Sequence, residues 1–325
     1  MVEPRIAFAE YHASMATLVA ARCLDAATRR RAYAGDVLVF HQLPSLVALC
    51  AHFEATWSAD AAPLVTAEHG DEGCDSRRRA LCSAYEEDAR VSDLWTEALR
   101  EAGVDTQRTA WDRVRLRVQQ SGGAIDAVDD AKFATGRFSS TLPMHRDTWA
   151  SNVRSQLNCW TPLRPLAAGR TMALYPAFFE RAVPNTSASW DFFELRRSRR
   201  RGAGVDAAPY PQLPSMDGEA LARDDALRAL LDADAAPLLV APGDLVVFSG
   251  AHLHKSVVNR SGEARFSTEV RLVSEDDEAR ERAGEASAGA PNVDGAAPRR
   301  TPQWFSGIDS GVRLDRIGEA SARAP

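Results

Sequence analysis

The sequence predicts a mainly β fold with added helices: a sandwich or jelly roll that follows a helical N-terminal region. Three observations lead there. "WDRVRLRVQ" (111–119) alternates strictly, with Val114, Leu116 and Val118 on one face and Arg113, Arg115 and Arg117 on the other. Six further short strand candidates, separated by turn residues, follow it up to residue 275. Before it, apolar residues recur at spacings of three and four. Many short strands in one long region mark a sandwich or jelly roll.

Residues 6–33 read as a helix that ends in the arginine-rich "RRRAYAG". "GDVLVF" (35–40) reads as a short buried strand, and Pro44 to Trp57 as a second helix. Residues 59–76 are polar and contain glycine, which predicts a loop; 77–102 is helical again and stops at Gly103. The strand candidates are "RFSSTLPMHRDTW", "SQLNCWTPL", "RTMALYP", "APLLVAPGDLVVFSG", "AHLHKSVVN" and "ARFSTEVRLV". An insert from Val183 to Leu231 interrupts them and carries "RRSRRRG" (196–202). With no aromatic residues interleaved, that run reads as a solvated loop or helix end, not a nucleic-acid surface. The stretch after Glu275 is rich in Ala, Gly, Glu, Asp and Pro and predicts an extended or mobile cover, with "PQWFSGI" tucking Trp304 and Phe305 back onto the body. The expected organisation is one domain over 1–325: a mainly helical region over 1–108, a β core over 109–275 with the insert 183–231, and an extended tail over 276–325.

Composition narrows the function. The 325 residues carry a net charge of −6, so no general affinity for nucleic acid or anionic membrane follows. Positive charge is almost all arginine, with Lys132 and Lys255 the exceptions, which reads first as codon bias. Cys23, Cys50, Cys74, Cys82 and Cys159 are odd in number and irregular in spacing, so neither a disulfide framework nor a zinc site is suggested. Cys159 reads as core. "MVEPRIAFAEYH" is charged where a signal peptide would be apolar, and no apolar run has membrane-spanning length. The expectation is a cytoplasmic protein.

Chemistry concentrates in two places. "LPMHRDTWASN" (142–152) sets His145 and Asp147 two apart, on one face if the segment is a strand. Alone, such a pair is commonly a polar loop. The second place is "PGDLVVFSGAHLHKSVVNRSGEARFSTEVRLV" (242–273). "VVNRSGEARF" reads as a hairpin turning near Arg260 and Ser261, which sets Ser256 opposite Arg265 and His254 opposite Ser267. His252, His254, Ser256, Arg265 and Ser267 then share a polar face, with Phe266, Thr268, Val270 and Leu272 opposite. Such a face is costly to bury without partners, and a metal with an anionic ligand would supply them. Two histidines and a carboxylate leave three open positions on an octahedral metal, as in non-haem Fe(II) oxygenases. An arginine nearby can hold a carboxylate bidentately. This logic takes His145, Asp147 and one later histidine as ligands, with an arginine one strand on.

"HRD" followed by "GDLVVFSGAHLHKSVVNRSGEAR" resembles the phytanoyl-CoA dioxygenase-like branch of the Fe(II)/2-oxoglutarate-dependent oxygenases, over roughly residues 110–275. The resemblance implies a double-stranded β-helix (jelly-roll, cupin-like) core. It implies His145, Asp147 and His254 as metal ligands and catalytic centre. It also implies Arg265 on the distal carboxylate of 2-oxoglutarate, with the Ser256 hydroxyl beside it. The implied cofactors are Fe(II), 2-oxoglutarate as co-substrate, and O2. The implied reaction hydroxylates an unactivated C–H bond of a small-molecule metabolite and releases succinate and CO2. Asp147 stands where related halogenases carry a small residue. The family's "PGSH" is absent, and "LYPAFFER" stands in its place. His252 then reads as a neighbour, and Arg271 as a surface or core-edge arginine. Gln156, Asn158 and Trp160 share a face and either line the co-substrate pocket or pack as ordinary core; Trp149 follows the first ligands closely. His12, His41, His52 and His69 read as structural or exposed. Arg115, Arg117 and Arg170 are open between anion contacts and surface charge. Alternatives are desaturation, epoxidation or ring formation on the same fold, a cupin-like metalloenzyme without 2-oxoglutarate, and a non-catalytic binding module. The expected partner is a small-molecule substrate, with no nucleic acid and no membrane, and the sequence sets no oligomeric state.

Overall fold

The structure is a computed structural model that describes residues 18–67, 72–122, 142, 144–191, 193–194, 225–295 and 298–316. β1 (Leu18–Ala20) pairs in parallel with β2 (Val37–Phe40). Between them α1 (Ala26–Tyr33) starts at Asp25, whose carboxylate accepts from the Thr28 amide at 2.8 Å. The expected helix over 6–33 is therefore a strand and a short helix, and residues 6–17, with His12, lie outside the described residues. Alanine-rich sequence fits either state locally, and the pairing of Leu18 with Val37 decides it.

α2 (Pro44–Val65) runs eight residues past the expected Trp57, because Ala61 and Leu64 continue the buried series Leu46, Leu49, Phe53, Trp57 at helical spacing. α3 (Glu72–Glu87) starts inside the expected loop 59–76, and His69 lies outside the described residues. The expected helix 77–102 is broken at Asp88, which caps α4 (Ala89–Glu101) by accepting from Arg90 and Val91 amides. Gly103 follows α4 at φ +79°, a left-handed conformation that favours glycine.

The alternating run divides into β3 (Thr109–Trp111) and β4 (Arg115–Gln119). Then come α5 (Thr148–Ser151), β5 (Gln156–Pro162), β6 (Met172–Leu174), α6 (Asp225–Asp234), β7 (Ala236–Pro237), β8 (Leu245–Ser249), β9 (His254–Ser256), β10 (Arg265–Ser274), α7 (Glu275–Arg282) and β11 (Ser306–Gly307). One sheet has the order β1-β2-β8-β5-β10-β3-β11, with β4 also on β10; a second has the order β7-β6-β9. The core is thus mainly β, in two sheets, with added helices.

Alternation gives the large sheet two faces. Leu116, Val118, Leu157, Cys159, Leu245, Val247, Phe266, Val270 and Leu272 join the buried cluster with α2, α3 and α4. Phe53 meets Phe266 at 5.6 Å between ring centres, and Trp95 Nε1 donates to Thr268 Oγ1 at 3.2 Å. Cys159 is core, as expected. The opposite face carries Arg117, Asn158, Trp160, Phe248, Glu269 and Arg271 into a cleft, which Met172, His254 and Ser256 of the second sheet close.

The stretch expected as an extended cover opens with a helix over Glu275–Arg282. α7 has four acidic residues in its first turn and Arg280 and Arg282 in its last, which suits the helix dipole. Its charges find partners: Asp277 with Arg29 and Tyr33, Glu281 with Arg154, Ser155 and Arg300. Phe305 is buried, as expected, and Trp304 is partly so. Of the insert, residues 195–224, and with them the basic run, lie outside the described residues. No helix among the described residues is long and apolar enough to cross a membrane.

Candidate metal centre

His145, Asp147 and His254 come together as expected, all buried, with one donor atom from each within 4.8 Å of the others. The route differs from the expected strand. His145 makes an isolated antiparallel bridge with His254, each amide bonding the other's carbonyl at 2.9 and 3.0 Å. Asp147 has helical backbone angles and opens α5, so a tight turn aims its carboxylate, not the two-residue period of a strand. Gly250 permits the close approach: a Cβ there would lie 3.0 Å from Gln156 Nε2 and 3.4 Å from Asp147 Cβ.

His145 Nε2 lies 3.8 Å from Asp147 Oδ1, and His254 Nε2 lies 3.9 Å from Asp147 Oδ2. Donor atoms this close together would be able to hold one shared metal ion. His254 Nδ1 faces the His252 carbonyl at 2.9 Å, which holds the proton there and leaves the Nε2 lone pair toward the cleft. The donor set fits a borderline divalent transition metal such as Fe(II). His252 stands outside this set: its Nδ1 lies 3.1 Å from Ser249 O and its Nε2 3.0 Å from Gly35 O, and burial pushes its pKa down to about 4.

Asp147 is held from both sides. Asn158 Nδ2 donates to Oδ2 at 2.5 Å, and Arg271 Nη2 lies 2.8 Å from Oδ1. Burial pushes the carboxyl pKa up, but Arg271, His254, His145 and the Asn158 bond outweigh it and hold the group well below the usual carboxylate range. Gln156 sits one layer back, donating to Asn158 Oδ1 at 3.0 Å; Asn158 and Trp160 face the cleft. Trp149 is buried, with Nε1 donating to Asp294.

Arg265 and Ser256 both line the cleft, but not through the expected hairpin. β9 pairs with β6, whereas β10 pairs with β4 and β5, so the segment 257–264 passes from one sheet to the other. The Asn259 side chain organises that crossing: its Nδ2 donates to Gln119 O and Glu263 O, and its Oδ1 accepts from Ser261. Arg265 is buried, and its Nε and Nη1 have no hydrogen-bond partner among the described residues. Burial pushes its pKa down to about 10, against the pull of Glu269. Ser256 Oγ accepts from the Leu142 amide at 3.1 Å, which leaves its own hydrogen to donate.

Arg271 corrects the sequence reading: it is no surface or core-edge arginine but touches the metal ligand itself. Glu269, unnoticed in the sequence, is half-buried beside it and accepts from Arg117 Nε at 3.0 Å and Nη2 at 2.6 Å. The signal was there, since the alternation of Arg265 and Ser267 runs on to Glu269 and Arg271. The three arginines left open are paired: Arg115 with Asp112, Arg117 with Glu269, Arg170 with Glu263. His41 and His52 lie away from the site, against Asp244 and Asp88.

No protein-family model and no curated protein matches this chain. Among solved structures it is similar to EvdO2 from Micromonospora carbonacea var. aurantiaca complexed with 2-oxoglutarate, at 14% identity, over 76% of this chain and 90% of that one, with a TM-score of 0.37. It is similar to AviO1 from Streptomyces viridochromogenes Tue57, at 16% identity, over 77% and 95%, with a TM-score of 0.35. The epimerase SnoN, in complex with Fe3+, alpha ketoglutarate and nogalamycin RO, gives 16% identity, 77% and 85%, and a TM-score of 0.37.

Proposed function

We propose that the protein is an Fe(II)- and 2-oxoglutarate-dependent dioxygenase, of the phytanoyl-CoA dioxygenase-like branch, that hydroxylates a C–H bond of a small-molecule metabolite. The observation that carries the reading is one cleft holding both a buried His-Asp-His donor set and a buried arginine with two unpartnered nitrogens. A guanidinium in that state is costly unless an anion completes it. A dicarboxylate that chelates a metal at one end suits both features. The reading takes the two sheets as the halves of a double-stranded β-helix and the chain as one oxygenase domain in the cytoplasm, with no nucleic-acid or membrane partner.

His145, Asp147 and His254 hold the metal. It supplies, when bound, the redox chemistry that couples decarboxylation of 2-oxoglutarate by O2 to oxidation of the substrate, giving succinate and CO2. The protein's own residues do the rest. Arg265 grips the distal carboxylate through two parallel charge-assisted bonds, and Ser256 donates a further one. Asn158 and Arg271 fix the Asp147 carboxylate. Phe248, Trp160 and Met172 give the cleft apolar walls that exclude water.

The test is succinate formation by the Fe(II)-loaded protein under air, screened across candidate metabolites. The reading expects 2-oxoglutarate turnover stimulated by the true substrate, a product heavier by one oxygen atom, and loss of both in Asp147→Ala. Turnover that ignores 2-oxoglutarate would contradict it.

A further inference from the structure

Arg271 stands on β10 in register with Asn158 of β5; Asn158 donates to Asp147 Oδ2, and the Arg271 guanidinium forms an ion pair with Oδ1 at 2.8 Å, outside hydrogen-bond geometry. The same carboxylate presents Oδ1 toward His145 and Oδ2 toward His254, at 3.8 and 3.9 Å. The place a cation would occupy against Asp147 thus has a resident cation beside it. Other anions nearby are already engaged. Glu269 accepts two bonds from Arg117. Asp112 lies farther from Arg271, at 3.5 Å, pairs closely with Arg115, and accepts the Arg271 backbone amide at 2.9 Å. Among the described residues, Asp147 is therefore the carboxylate closest to the Arg271 guanidinium.

We propose that Arg271 is a positioning residue that stands in for the metal: it compensates and orients Asp147 in the metal-free protein and lowers the affinity of the His145–Asp147–His254 site for a divalent cation. The inference rests on the metal assignment above and is independent of 2-oxoglutarate. Two consequences follow from one charge. Without a metal, a buried carboxylate between two histidines would lack a counter-charge, and Arg271 provides it. With a metal, the guanidinium is a like charge within a few ångströms of a dication in a poorly screened interior, and the repulsion opposes binding. The arrangement keeps the ligand turn formed while empty and the metal exchangeable when bound. A purely structural arginine would have the opposite effect on binding, since its loss would loosen Asp147 and weaken the site.

The experiment uses the full chain, freed of metal by chelation, and Co(II) as an air-stable probe. Co(II) affinity is measured by calorimetry and by the visible d–d bands; melting is followed with and without Co(II). For Arg271→Gln the proposal expects Co(II) binding at least about tenfold tighter than wild type, a lower melting temperature without metal, and a larger rise on adding Co(II). Arg271→Lys, which keeps the charge, should stay within about threefold of wild type in affinity. Equal or weaker binding in Arg271→Gln overturns the proposal alone. Failure of wild type to bind Co(II) overturns the metal site and the proposal with it. If Arg271→Gln does not fold without metal, refolding in saturating Co(II) must rescue it, because the metal replaces the lost charge; no rescue also overturns the proposal.

Discussion

At the scale of single residues, the site is defined by which polar atoms are satisfied and which are not. His252 and His254 are two apart and both buried, yet carbonyls face both ring nitrogens of His252 while His254 keeps Nε2 toward the cleft. Arg117 and Arg265 share the cleft, but Arg117 has Glu269 and Arg265 has two unpartnered nitrogens. Arg265 should therefore set affinity for 2-oxoglutarate and not for iron. Removing one partner of a buried charge pair costs about 3–5 kcal/mol, so Arg265→Met should weaken 2-oxoglutarate binding by roughly 100- to 4,000-fold. Arg265→Lys, which loses the planar fork, should fall between. Titration of the anaerobic Fe(II) protein with 2-oxoglutarate measures this; unchanged affinity in Arg265→Met would remove Arg265 from the pocket. The residue types and their order in the chain made His145, Asp147, His254, Ser256 and Arg265 legible in the sequence. Arg271 was not, because an arginine at the end of a strand looks the same whether it meets solvent or a carboxylate from a turn 124 residues earlier.

At the scale of elements, β10 carries the design, with an apolar face on the helices and a charged face in the cleft. The sequence showed both faces, because alternation belongs to the strand itself. It did not show the strand's neighbours. The chain between His254 and Arg265 looks like a hairpin, but the Asn259 hydrogen bonds turn it into a crossing between sheets, and only tertiary pairing reveals that. The charged face yields a test of its own. Burial pushes the Glu269 pKa up, but Arg117, Arg271 and Arg115 bring it down to about 2. A carboxylate depressed in the folded state contributes stability that is present above its unfolded pKa of about 4.3 and is lost as pH falls toward the folded value. Glu269→Gln leaves the half-buried Arg117 without its partner and should lose about 1–3 kcal/mol at pH 7. Its stability should also fall less steeply than wild type between about pH 4.5 and 2. Urea unfolding across that range is the measurement; parallel profiles would mean that Glu269 carries no such charge.

At the scale of the whole molecule, the segment after β10 belongs to the site's support. Arg146, between the two ligands of the H-x-D, is wholly buried. Its Nε lies 2.9 Å from Asp294 Oδ2, and its guanidinium donates to the carbonyls of Ala251, Phe178 and Arg181. One side chain thus ties the first ligand turn, the loop before His254, and the C-terminal segment. Asp294 also accepts from Trp149 Nε1 at 2.7 Å and the Val183 amide at 2.9 Å. Composition hid this role, because a stretch rich in Ala, Gly and charge gives no period to read, and its order comes from partners far away in sequence. Asp294→Ala should destabilise the protein by about 3–5 kcal/mol, since Arg146 stays buried without its counter-charge, and should weaken metal binding with it. A variant with wild-type melting and metal affinity would show that the segment only covers the fold. The central claim, that His145, Asp147 and His254 hold an iron to which 2-oxoglutarate is added, has one direct measurement. Anaerobic protein is given one equivalent of Fe(II) and then 2-oxoglutarate, and the visible charge-transfer absorbance is recorded for wild type, His252→Ala and His254→Ala. The account predicts the band in wild type and in His252→Ala and its loss in His254→Ala; no band in wild type, or a band that survives His254→Ala, would contradict it.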